Sequence, residues 1–157
     1  MKYLTFLRTV LVLSLSLSFA QAYDFSLLTG KWTGQRKEMY GGTGAYSKVT
    51  LKAELLPDGG LQIVEKGKWP KLGRYTWRHR FHADGRYIAL AKNTGGLIYA
   101  TTKGTWKEDG DVIRISGKNW NLTGFSDFKG RITSKSANRL QYFGKSGSAR
   151  VELIGRR

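Results

Sequence analysis

The chain has 157 residues, of which 27 are Lys or Arg and 11 are Asp or Glu, so its formal net charge is +16 at neutral pH. It contains no cysteine, which excludes disulfides, thiolate zinc sites and cysteine nucleophiles. The positive excess favours anionic partners such as lipid headgroups, lipopolysaccharide or other polyanions, although charge of this kind also serves solubility alone.

The N-terminal segment 1–22 has the pattern of a secretory signal peptide. Lys2 and Arg8 supply a positive region, an apolar run follows, and Ala20-Gln21-Ala22 has the small residues of a cleavage site. The apolar run is shorter than the roughly 20 residues that a membrane-spanning helix needs. We therefore expect residues 23–157 to form one exported domain. The lack of disulfides favours a bacterial periplasmic or secreted location.

A Gly-x-Trp motif lies in Leu28-Thr29-Gly30-Lys31-Trp32-Thr33, at the start of the first predicted strand. The motif resembles the first strand of avidins and, more loosely, that of lipocalins and other calycin-like barrels. The resemblance implies a barrel in which Trp32 packs at the closed end beneath an arginine from a late strand, for which Arg139 and Arg150 are the candidates. Gly34-Gln35-Arg36 follows where avidins have a polar biotin contact, so biotin binding is not implied.

Alternation of apolar and polar residues, the pattern of a half-buried β-strand, dominates the rest of the chain. It runs through 49–55, resumes at Leu61 after a Pro-Asp-Gly-Gly turn, and continues to strands predicted near 128–134, 139–144 and 149–154. Eight to ten short strands joined by tight turns predict an all-β fold, an antiparallel up-and-down meander closed into a barrel. A two-sheet sandwich is the alternative, and the short connections favour the barrel.

Asp84-Gly85 predicts a two-residue β-hairpin turn. This turn places Phe81 opposite Ile88 and His79 opposite Leu90, so the apolar faces of the two strands agree. The predicted interior of the barrel therefore includes His79 and Leu90.

The segment 66–86 carries many basic residues and a single acidic one, Asp84. Its aromatic residues alternate with the basic ones and fall on the opposite face, so the predicted surface is electrostatic and not a stacking platform for bases. Sequence-specific binding to nucleic acid is not expected. The predicted polyanion-binding residues are Lys66, Lys68, Lys71, Arg74, Arg78, Arg80 and Arg86.

The predicted ligand site consists of side chains assigned to the interior of the barrel. His79 would orient a polar group or act as an acid or base near neutral pH, and its alternative role is purely structural. Glu65 has the parity of Ile63, so it either points inward and pairs with His79 or an interior arginine, or it is solvated near the strand end. The predicted lining residues are Trp32, Glu65, Trp77, His79, Phe81, Leu90 and Tyr99.

Three functions follow from these patterns. The first is an exported barrel that binds a small apolar or amphipathic ligand and has a basic outer face for anionic surfaces. The second is a polyanion-binding protein without an internal ligand. The third is a cofactor-free isomerase or cyclase-type enzyme that uses His79 with Glu65 or a tyrosine. No cofactor or metal is expected, because the two histidines, His79 and His82, face opposite sides of a strand.

Overall fold

The computed structural model describes residues 23–40, 42–69 and 73–157, so the predicted signal peptide lies outside the described residues. Each strand pairs antiparallel with the next and β1 pairs with β10, which closes the sheet into an up-and-down barrel and confirms the predicted fold class. A short 3₁₀-helix at Phe25–Leu28 precedes ten strands: β1 (Gly30–Tyr40), β2 (Thr43–Leu55), β3 (Leu61–Trp69), β4 (Gly73–Phe81), β5 (Arg86–Asn93), β6 (Ile98–Asp109), β7 (Val112–Asn121), β8 (Gly124–Ser136), β9 (Arg139–Ser146) and β10 (Ala149–Arg156).

Alternate residues of each strand fill the interior, as the sequence pattern predicts. On β2, Val49, Leu51 and Ala53 are buried while their neighbours are exposed. Burial of one Val or Leu side chain stabilises the fold by about 1.5–3 kcal/mol. Leu55, which continues the same alternation, is exposed at the end of the strand. None of the helical structure in the described ranges has the length and apolar character of a membrane span.

The two ends of the barrel differ. The closed end is formed by the β2–β3, β4–β5, β6–β7 and β8–β9 turns together with the 3₁₀-helix, and the open end by the other connections. Phe25 of the 3₁₀-helix packs against Phe81 and Trp106, with ring centroids 6.1 and 5.0 Å apart. Leu28 is completely buried beside them. Among the residues that the structure describes, this apolar plug closes one end of the barrel.

Trp32 lies at the closed end, as the resemblance implies, but the arginine above it is Arg157. The guanidinium carbon of Arg157 is 4.2 Å from the centroid of the Trp32 ring, and Nη2 of Arg157 donates to the carbonyl oxygen of Leu27 at 2.9 Å. Arg150 is the second residue of β10, at the open end, and Arg139 is exposed. The arginine that contacts Trp32 is thus the residue that follows β10, and strand patterns alone do not indicate this contact.

The β4–β5 hairpin differs from the prediction by one residue. Phe81 pairs with Tyr87 instead of Ile88. The reason is that the loop between His82 and Arg86, which are themselves hydrogen-bonded, has three residues and ends on Gly85 with a φ of +86°. Such a loop is typical of a type I turn followed by a glycine bulge. A one-residue shift moves every side chain to the opposite face of the strand. Leu90 therefore lies on the outer face of the barrel, and its prediction as a lining residue is wrong.

Candidate functional site

A cavity of about 380 Å³ lies inside the barrel and is accessible at the open end. Its volume is near the lower limit of the range of about 300–1,000 Å³ that is typical of small-molecule sites. Arg36 and Asn119 are its principal polar side chains deep in the barrel, where both are buried. Most of the surrounding wall is aromatic or aliphatic, with contributions from Trp69, Trp77, Tyr99, Phe128, Tyr142 and Val151.

Arg36 forms the floor of this cavity and is only 1% exposed. Its Nε donates to Glu38 at 2.5 Å, and its Nη1 donates to the two carboxylate oxygens of Glu65 at 2.9 and 2.8 Å. The guanidinium carbon is also 4.5 Å from the centroid of the Trp77 ring. A buried charge is tolerated only when it is paired and hydrogen-bonded, and Arg36 meets both conditions.

Two acidic side chains hold Arg36 in its charged form. Burial lowers the pKa of Arg36, but the carboxylates of Glu65 and Glu38 outweigh this effect and raise that pKa above its ordinary value. The guanidinium therefore stays charged, with two carboxylates beside it. Among the described residues, none accepts a hydrogen bond from Nη2 of Arg36. The floor of the cavity thus combines an available donor, Nη2, with a guanidinium that is already bound to two acidic side chains.

Two further hydrogen bonds engage buried polar side chains around this cluster. Tyr75 donates to Glu65 at 2.6 Å, and burial together with the Glu65 carboxylate raises the pKa of Tyr75 well above its usual range. Nδ1 of His79 lies 2.8 Å from the hydroxyl of Tyr87. Burial lowers the pKa of His79 to about 4, so its ring is neutral at pH 7.

Four of the predicted lining residues border a cavity. Trp77 and Tyr99 line the large cavity at the open end. Glu65 and His79 instead line a separate space of about 20 Å³ deeper in the barrel, which is too small for an organic ligand. Glu65 does point inward, and the interior arginine that it pairs with is Arg36.

Three predicted lining residues border neither cavity. Trp32 and Phe81 are almost completely buried in the closed end, where the 3₁₀-helix covers them, and Leu90 is on the outer face. Sequence reasoning missed Arg36 and Glu38 instead. Both share the parity of Trp32 on β1, and this was the available indication that they face inward.

The predicted polyanion-binding residues are exposed where the structure describes them, and Lys71 lies outside the described residues. Lys66, Lys68, Arg74, Arg78, Arg80 and Arg86 project from the outer face of β3, β4 and the start of β5. Arg86 is paired with Asp84 and Arg80 donates to Gln62, so these two are already engaged. Positive charge is not confined to these strands, because Lys129, Lys145 and Arg150 form a row across β8, β9 and β10.

Comparison with known proteins identifies similar folds. No family model and no curated protein matches the chain. The crystal structure of Rv2717c from M. tuberculosis superposes with a TM-score of 0.57 at 15% identity, covering 85% of this chain and 94% of that one. A redesigned β-barrel, b11L5F_LGL, has a TM-score of 0.48 at 13% identity, with coverage of 84% and 92%. At 15% identity, the likeness to Rv2717c concerns the fold alone: the chain is a ten-stranded antiparallel barrel with a solved structural neighbour.

Proposed function

We propose that the protein is an exported barrel that binds a small amphipathic ligand in the cavity at its open end. The observation that carries this proposal is the open, mostly apolar cavity of about 380 Å³ with the buried, charged Arg36 at its floor. An interior that served only to stabilise the fold would be close-packed, since protein cores have few voids larger than a water molecule. A calycin-like relationship fits this function, with Trp32 beneath Arg157 at the closed end as its structural support.

The polar groups of the cavity indicate which ligand chemistry fits. Among the described residues, Nη2 of Arg36 has no acceptor, and the buried Nε1 of Trp77 has no hydrogen-bond partner. A buried donor without an acceptor costs about 1–3 kcal/mol, which a ligand oxygen near it would recover. A ligand carboxylate would be repelled by Glu38 and Glu65, the acidic side chains that already bind Arg36, whereas an uncharged carbonyl would not. The favoured ligand is therefore an apolar molecule that packs against aromatic side chains and carries a neutral hydrogen-bond acceptor.

Three naphthalenes of similar shape test this proposal by isothermal titration calorimetry. One, 2-acetylnaphthalene, carries a neutral carbonyl, 2-naphthoate carries an anion, and 2-isopropenylnaphthalene carries neither. One additional hydrogen bond corresponds to about fivefold in affinity, so the acetyl compound should bind about fivefold more tightly than the other two. Equal affinities would contradict the neutral-acceptor proposal. If these compounds, fatty acids, isoprenoids and haem all failed to bind, the ligand-binding function itself would be wrong.

A pair of tryptophan variants locates the hydrogen bond. Trp77→Phe removes the indole N–H from the cavity and keeps an aromatic ring, so it should reduce the preference for the acetyl compound. Trp106→Phe is the matched control, because Nε1 of Trp106 donates to the carbonyl oxygen of His82 at the closed end. A preference that survives unchanged in Trp77→Phe assigns the hydrogen bond to Arg36.

The enzyme alternative has less support from the geometry. His79 is hydrogen-bonded to Tyr87, and both Arg36 and Tyr75 donate to Glu65. Neither His79 nor Glu65 lines the cavity that is large enough for a substrate. The isomerase or cyclase-type reaction would need these groups to be released from their partners first.

Export rests on the sequence pattern of residues 1–22. N-terminal sequencing of the protein recovered from the periplasm or medium of a bacterial host tests it. The expected first residue is Tyr23, and recovery of an uncleaved cytoplasmic chain would contradict export.

A further inference from the structure

Exposed apolar side chains form an arc on the open end of the barrel. Leu97 and Ile98 lie at the β5–β6 connection and are 60% and 41% exposed. Leu122 and Phe125 lie at the β7–β8 connection, are 65% and 82% exposed, and line the mouth of the cavity. Large exposed apolar side chains that cluster in this way mark an interaction surface. We refer to these four residues as the apolar arc.

Basic residues border this arc on both sides. On each of five strands, the residue second from the open end is an exposed Lys or Arg, and none of the five forms an ion pair with a described acidic residue. Lys92 of β5 and the basic residues of β3 and β4 border one side of the arc. The basic residues of β9 and β10 border the other side. This basic collar consists of Lys68, Arg74, Lys92, Lys145 and Arg150.

Acidic residues concentrate at the opposite end of the barrel. Of the four acidic residues elsewhere, Glu38 and Glu65 are buried in the interior, Asp127 is paired with Lys118, and Glu152 in the middle of β10 accepts a hydrogen bond from Gln141. The open end therefore presents a much more positive surface than the closed end, and the field of an anionic surface would orient the barrel with its mouth towards that surface. Seven of the eleven acidic residues lie at the closed end: Asp24, Glu54, Asp58, Asp84, Glu108, Asp109 and Asp111.

We propose that the open end docks on membranes that contain anionic phospholipids. The apolar arc enters the interfacial region of the bilayer while the basic collar contacts lipid phosphates, so the cavity opens onto the membrane. This combination of apolar and basic side chains on one face is what an anionic lipid surface recognises, whereas a polysaccharide or nucleic acid offers nothing to exposed leucines. The inference extends the proposed function, since an amphipathic ligand would enter from the bilayer, but docking itself requires no ligand.

Vesicle sedimentation with the ligand-free protein tests the docking. The wild-type protein should bind vesicles that mix phosphatidylglycerol with phosphatidylcholine, and should bind phosphatidylcholine vesicles weakly. The double variant Leu122→Ser/Phe125→Ser should bind the mixed vesicles about tenfold less tightly, because membrane affinity scales with the apolar area that is buried. The matched control is Leu27→Ser/Leu55→Ser, which changes two leucines of similar exposure, 56% and 53%, at the closed end. This control should bind like the wild type.

Charge-reversal variants and binding to heparin separate docking of the open end from a general effect of net charge. Lys145→Glu/Arg150→Glu should weaken binding to mixed vesicles more than Lys107→Glu/Arg139→Glu, which reverses two exposed charges in the closed half. The Leu122→Ser/Phe125→Ser variant should elute from a heparin column at the same salt concentration as the wild type, because its net charge is unchanged. Equal losses in the open-end and closed-end variants, or vesicle binding that the apolar-arc variant retains in full, would overturn the proposal. The naphthalene titrations contain no lipid, so their failure and the failure of docking are distinguishable.

Discussion

Arg36 brings a full positive charge into an interior that is otherwise mostly apolar. Its partners come from its own strand and from β3, so the cluster joins the two strands that flank β2. The guanidinium also lies over Trp77, which replaces water with an aromatic face. The cost of burying these ions is substantial, and such a cluster stabilises the fold only while all of its members are present.

Removal of Arg36 should be more damaging than neutralisation of one of its partners. Arg36→Met leaves Glu38 and Glu65 buried without a cation and should lower the free energy of unfolding by about 3–5 kcal/mol. Glu65→Gln should cost less, because Glu38 still balances the guanidinium. Urea unfolding at pH 7 measures both losses. Lys52→Met, which breaks an exposed ion pair with Glu54, is the control and should have little effect. Equal losses for Arg36→Met and Glu65→Gln would contradict this central role of the guanidinium.

His79 should make the stability of the barrel depend on pH in the acidic range. Burial lowers the pKa of His79 to about 4 from an ordinary value of 6.5, so between these values the unfolded chain binds the proton more readily. The contribution of neutral His79 to stability is complete above pH 6.5 and is lost as the pH falls towards 4. The shift corresponds to a change of about 3 kcal/mol. In urea unfolding at several pH values, the wild type should lose this stability relative to His79→Gln, and parallel pH profiles would contradict the assignment.

At the scale of the strands, alternation was sufficient to predict the barrel but not every register. The Asp-Gly pair at 84–85 is compatible with loops of two or three residues, and the structure contains the longer one. That single residue reverses the face on which Leu90 lies. Hydrophobic content could not correct the error, because Ile88 and Leu90 are as apolar as the inward-facing Tyr87 and Ala89.

The candidate site was predictable to the extent that it lies on one clearly alternating strand. Trp77 and His79 follow the alternation of β4, and the structure places both inside. Arg36 was not predictable in the same way, because a buried arginine is expected only where its acidic partners are known to be close. Glu65 lies 29 residues away in sequence and approaches Arg36 only when β1, β2 and β3 pair and curve into the barrel. The contact of Arg157 with Trp32 depends on closure of the barrel, because β10 lies beside β1 only after that closure.

Close approach of β6 and β7 depends on paired glycines. Gly104 lies opposite Gly117, and a Cβ on Gly104 would be 2.0 Å from the carbonyl oxygen of Ser116. Gly104→Ala should therefore destabilise the barrel by about 1–3 kcal/mol through overpacking. Gly95→Ala is the control, since its Cβ has room and its φ is not left-handed, and it should be neutral or slightly stabilising. Thermal unfolding measures both effects, and similar shifts in the two variants would contradict this explanation.

The whole molecule carries a net charge of +16 with few exposed ion pairs among its described residues. Like charges also face one another directly across strands, as in the pairs Lys129–Lys145 and Lys145–Arg150. Like charges in directly opposed positions of a sheet are destabilising. The basic collar is therefore kept at the expense of stability, which agrees with a role in recognising an anionic surface.

Salt should stabilise this protein by screening that repulsion. Raising NaCl from about 20 mM to about 200 mM shortens the range of electrostatic interactions to within about 10 Å, so repulsion across the barrel weakens and Tm should rise. Lys145→Gln should raise Tm at low salt and reduce the salt-dependent increase, because it removes a charge that faces both Lys129 and Arg150. Lys118→Gln removes a charge that is paired with Asp127, so it should give no such gain at low salt. A fall in Tm with added NaCl would mean that attractive ion pairs outweigh repulsion, and it would remove the stability argument for a functional basic collar.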